Sequence, residues 1–150
     1  MYTKINEKDS AMKLGAIYSK EKTTFTLFSP VADSVFVIFY DKGNDSAEKG
    51  RLEMMRGEGE LRSIFSATAE GNLDGVYYTY EVHTSDGTFS SHDPYARACG
   101  VNGHRSMVID LSKTDPDGFA DEDRPKLADP MSMVITEVSV ADVSAGASAH

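Results

Sequence analysis

The side chains able to do acid, base, metal or thiol chemistry are numerous but scattered. The 150 residues include 24 Asp and Glu, four His and one Cys. General acid–base work needs a carboxylate pair converging on one substrate, whereas these carboxylates fall in loops and turns, as on a solvated acidic surface. His83, His92, His104 and His150 lack the offsets that would gather them around one ion. Asp115, Asp117, Asp121, Glu122 and Asp123 crowd one segment, yet Gly118 stands out of register for a calcium loop. No metal or other cofactor is expected. Gly57-Glu58-Gly59 opens like a phosphate-cradling loop but lacks the third glycine and a following helix. Cys99, being single, forms no internal disulfide and reads as a small buried hydrophobe.

The elements that must position these groups are short strands. In TTFTLFSP, Phe25 and Leu27 share one face while Thr24 and Thr26 share the other, the period-2 signature of a half-buried strand. SVFVIFY, residues 34–40, is apolar on both faces, as a central strand covered on both sides would be. Two further strands flank Gly57-Glu58-Gly59. In VYYTYEVH, residues 76–83, Val76, Tyr78, Tyr80 and Val82 oppose Tyr77, Thr79, Glu81 and His83. Ser85-Asp86-Gly87 is a hairpin turn leading into TFSSH. LGAIYS, SMVIDL (106–111) and MVITEVSV (133–140) complete the set, and no amphipathic helix interrupts it. Seven to nine short strands at hairpin spacing predict an all-β fold, an immunoglobulin-like antiparallel β-sandwich. The boundaries read as a frayed N-terminus over 1–11, the sandwich over 12–111, an acidic proline-containing linker over 112–131 and a remnant strand over 132–150.

Composition narrows the partners. A net charge of −9 and a pI near 4.8 repel phosphate backbones and anionic lipid, which argues against nucleic acid and membrane partners. The N-terminus MYTKINEKDSAMK has no apolar stretch of signal-peptide type. With a single cysteine, it leaves a cytoplasmic location as the expectation. Exposed strand edges could pair between copies, so a homodimer is expected at high concentration.

Several segments together resemble a known family. LGAIY…TTFTLFSPVADSVFVIFYDKG, then NLDGVYYTYEV, then DPYARACGVNGHRSMVIDLSKTDPDGF are similar to the N-terminal region of type I pullulanases. Those are debranching glycoside hydrolases of the α-amylase superfamily (family 13), and the region is their carbohydrate-binding module of family 48. The resemblance covers roughly residues 12–143. It implies a non-catalytic accessory module that packs on and orients the (β/α)8 catalytic barrel of an enzyme hydrolysing α-1,6-glucosidic bonds. It also implies that the catalytic carboxylates sit on later barrel strands. A complete barrel takes roughly 200 or more residues, and the family's YNWGYDP signature is absent, so this chain is expected not to be an enzyme itself.

The resemblance assigns the stretch from Ser91 to Gly103 to docking. Asp93 can bond amides two residues on, Pro94 fixes one dihedral and Tyr95 offers an apolar face with a polar tip; with Asn102 these are the docking candidates. The alternative role is α-glucan binding. Sugar-gripping modules stack an aromatic on a glucose ring and bond its hydroxyls, but the chain has no tryptophan. Phe28, where the family often carries Trp, and Phe65 are expected in the core. Tyr77 is the candidate platform, with Lys42 and Asn44 as hydrogen-bonding partners. Residues 136–143 keep the skeleton of the family's first barrel strand, typically Tyr-Glu-x-His-Val-Arg-Asp-Phe. Thr136, Ser139, Ala141 and Val143 stand where Tyr, His, Arg and Phe are usual, as expected of a truncated and altered fragment.

Overall fold

The fold is that of a computed structural model, described here for residues 13–122 and 129–141. The expectations for residues 1–11, Asp123, His150 and the end of the remnant strand (142–150) lie outside the described residues. The described residues fall into two compact units, one ending at Asp115 and the other beginning at Pro116.

The first unit is the sandwich. Its nine strands are β1 (Gly15–Tyr18), β2 (Lys22–Phe28), β3 (Ser34–Tyr40), β4 (Glu48–Arg56), β5 (Ile64–Glu70), β6 (Tyr77–Thr84), β7 (Gly87–Ser91), β8 (Ala98–Cys99) and β9 (Ser106–Met107). All pairings are antiparallel, in the order β1-β2-β5-β4-β3-β6-β9-β8, with β7 also on β6. β4 belongs to both layers. Most of its length pairs with β3, and its end, at Met55 and Arg56, pairs with β5.

Alternation decides what is buried. Phe25 and Leu27 from β2, Val35 and Val37 from β3, Phe65 from β5 and Tyr78 and Tyr80 from β6 meet in one apolar core. Phe25 stands edge-on to Tyr78, with ring centroids 5.0 Å apart, a favoured aromatic geometry. β3 is covered on its other face too. Ile38 is buried, Phe36 lies against His83 and beneath Arg51, and Tyr40 lies beneath Arg105. An apolar run with no alternation is thus the mark of the central strand between β4 and β6.

Four expectations change. Phe28 is 55% exposed, because strict alternation in β2 turns it outward opposite Ile64; Phe65, by contrast, is core. Cys99 is exposed, on the two-residue strand β8 at the end of the strand order. The strand at 106–111 is regular only over Ser106–Met107; Val108 still bonds back to Val76, and then the chain tightens into a 3-10 turn at Leu111–Lys113. Finally, residues 133–139 form no strand. Val134 and Ile135 there are 92% and 80% exposed. A strand-like composition without a neighbour to complete its hydrogen bonds does not make a strand.

Candidate functional site

Two corners of the sandwich carry the candidate residues. The first is built around a buried carboxylate. Asp93 follows β7 and is 3% exposed. Its Oδ2 accepts the Tyr78 hydroxyl at 2.7 Å and the Tyr80 hydroxyl at 3.2 Å. Its Oδ1 accepts the Tyr95 amide at 2.8 Å, closing a local Asx turn, and its own amide donates to Ser106 Oγ at 2.8 Å. A buried carboxylate is tolerable only when its oxygens are occupied in this way. Burial, and then the hydrogen bond to Asp93, push the Tyr78 phenol well above its ordinary pKa; Tyr80 is raised by burial and by the charge of Asp93.

The consequence is a rigid turn. Ala96 N bonds Asp93 O at 3.1 Å, and Pro94 and Tyr95 are held out on the surface, Tyr95 52% exposed. Gly15 of β1 lies directly beneath; a Cβ there would stand 2.8 Å from Tyr95 Cβ. Arg97, from the same turn, lines a cleft of about 270 Å³ with Lys13, Ile17, Tyr18, Asp110 and Leu111. Asp93 itself offers no surface, so the docking candidates with area to present are Pro94, Tyr95 and the exposed Asn102.

The second corner joins two loops. Gly43, between Lys42 and Asn44, approaches Gly100 so closely that a Cβ on Gly43 would meet Gly100 Cα at 2.8 Å and Tyr77 Cε1 at 3.0 Å. Tyr77 is half-buried at the start of β6, and Lys42 and Asn44 are both exposed. The fold therefore brings Tyr77 to the loop that bears Lys42 and Asn44, across 33 residues of chain from Asn44. Asn102, in left-handed backbone at φ 54°, belongs to the loop touching from the other side. Phe36, Ile38, Tyr40 and Tyr77 alternate onto one outer sheet face through the β3–β6 register, so the face is richer in aromatics than Tyr77 alone suggested. Arg105 was not legible as part of this corner. It spans it, stacked 3.6 Å over the Tyr40 ring and bonded to Lys42 O, Ser46 Oγ and Ser46 O. Its partners lie about sixty residues away, and no spacing rule links them. Among the described residues, no group of three or more His, Cys, Asp or Glu side chains is placed to hold a metal ion.

The profile of carbohydrate-binding module 48 (isoamylase N-terminal domain) matches residues 13–96, more than half of the chain and the first seven of the nine strands. The chain belongs to the carbohydrate-binding module 48 family. The module's relatives are pullulanases. Pullulanase A of Streptococcus pneumoniae serotype 4 is 31% identical over 116 residues, covering 73% of this chain and 9% of that protein. The chloroplastic pullulanase 1 of Arabidopsis thaliana is 28% identical over 142 residues, 88% of this chain and 14% of its own. Among solved structures, the apo pullulanase of Paenibacillus barengoltzii superposes with a TM-score of 0.77 at 35% identity, over 87% of this chain and 19% of that one. The same enzyme is known in complex with maltohexaose and α-cyclodextrin (TM-score 0.72, 34% identity). This module thus spans about a tenth to a seventh of the length of the curated relatives named.

Proposed function

We propose that the chain is the non-catalytic accessory module of an α-glucan debranching enzyme of pullulanase type, and that its task is to pack on the catalytic barrel and hold it in orientation. One observation carries this reading. A buried carboxylate with three side-chain or amide donors fixes a turn whose product is an exposed proline and an exposed tyrosine. Asp93 already serves the core by accepting the Tyr78 and Tyr80 hydroxyls; the exposed Tyr95 that the same turn presents adds nothing to that core, whereas an interface gains a preorganised aromatic anchor. In the full-length enzyme, Tyr95→Ala should separate module and barrel unfolding into two calorimetric transitions. A single transition at the unchanged temperature would sink the reading.

A second role is favoured by the other corner. Tyr77, Lys42 and Asn44 around Gly43 form a stacking platform flanked by hydrogen-bonding side chains, the arrangement that suits a weakly held linear α-glucan. Without tryptophan, the affinity is expected in the millimolar range rather than below it.

A further inference from the structure

The α-glucan role of Tyr77, Lys42 and Asn44 depends on a loop that has little of its own to hold it. Residues 41–47 contain one buried position, Gly43, and Asp45 adopts left-handed backbone at φ 47°. Within the loop, Lys42 N bonds Ser46 Oγ at 3.3 Å, and Asn44 Nδ2 bonds the neighbouring Asp45 Oδ2 at 3.0 Å. Such local bonds compete poorly with water.

Arg105 supplies what is missing. Its Nη1 donates to Lys42 O at 2.7 Å and to Ser46 Oγ at 2.8 Å, and its Nη2 donates to Ser46 O at 2.9 Å. The guanidinium carbon sits over the Tyr40 ring, 3.6 Å from its centroid. The Tyr40 hydroxyl is in turn paired with Thr79 Oγ1 at 3.2 Å, so the ring that receives the guanidinium is itself fixed to β6. Meanwhile Gly100 N bonds Arg105 O at 2.8 Å, which sets the glycine that meets Gly43. One residue therefore fixes the loop by its side chain and the opposing loop by its backbone. A lysine could keep the charge but not the planar fork or the stacking.

We propose that Arg105 is a positioning residue of the α-glucan site, holding Lys42 and Asn44 in register with Tyr77 while touching no sugar itself. The inference rests on the second reading above. Preorganisation of this kind is felt as affinity, because an unclasped loop must be ordered again each time a ligand binds.

The test is calorimetric titration of the chain with maltoheptaose, alongside amide NMR, for wild type, Arg105→Lys, Arg105→Ala and Tyr77→Ala. Arg105→Lys is expected to weaken binding about tenfold, to shift the amides of residues 42–46, and to leave those of Phe25, Val35 and Val37 in place. Arg105→Ala should weaken it further. Should Arg105→Ala fail to fold, Arg105→Lys and Ser46→Ala still decide the matter, the latter deleting one acceptor only. Wild-type affinity in Arg105→Lys, with Tyr77→Ala impaired, overturns the role of Arg105 and leaves the glucan site standing. No binding by wild type at millimolar sugar overturns both.

Discussion

Asp93 shows how much one residue can organise. Its carboxylate gathers Tyr78 and Tyr80 from the core and the Tyr95 amide from the surface turn, so a single side chain ties packing to presentation. The same contact makes the fold sensitive to base. Because burial and Asp93 raise both phenols, the folded state favours neutral tyrosine. That contribution is present in full below the unfolded-state value of about 10 and is lost as pH climbs from there toward the raised folded-state values. The urea midpoint should therefore hold from pH 7 to 9 and fall above 10. Tyr80→Phe removes one titrating phenol and should make that fall shallower. An equally steep fall in the variant would place the alkaline sensitivity elsewhere. The local part of this arrangement was legible: an Asp two residues before an amide, followed by Pro, reads as an Asx turn. The tyrosine contacts were not. They join residues 15 and 13 apart across a hairpin whose register only the folded sheet sets.

At the scale of elements, alternation was the reliable signal. The strands at 22–28, 34–40 and 77–84 stand where period-2 patterning and an unbroken apolar run predict them. Phe28 shows the same rule applied too loosely, since its parity already pointed away from Phe25 and Leu27. Residues 133–139 show its limit: β-propensity is completed by a neighbouring strand, and none is supplied there among the described residues. The contact between the 41–47 and 99–104 loops was invisible in the sequence, because two glycines far apart carry no pattern. It is nonetheless tight. A Cβ on Gly100 would stand 2.5 Å from Gly43 Cα and 2.7 Å from Gly43 O, backbone atoms that cannot swing aside. Gly100→Ala should destabilise the sandwich by about 1–3 kcal/mol, read as a lowered urea midpoint, with amide shifts confined to the two loops and Tyr77. Unchanged stability would mean that the loops separate freely and that their contact matters little.

At the scale of the whole molecule, an acidic β-sandwich of the carbohydrate-binding module 48 family presents two built corners, a rigid Pro94–Tyr95 turn and the Tyr77–Gly43 platform. On the reading proposed above, the first would meet a neighbouring domain and the second a glucan; Asp93 and Arg105 hold them, and Asp93 also accepts the Tyr78 and Tyr80 hydroxyls of the core. The family was legible from three segments read in order, whereas the internal clasps at Asp93 and Arg105 needed the fold. The proposed function turns on docking, and the most direct measurement is an amide NMR titration of this chain with a separately produced pullulanase catalytic domain. Shifts clustered on Tyr95 and Arg97, and abolished by Tyr95→Ala, are the predicted result. A titration that leaves those amides unmoved at saturating barrel would contradict it.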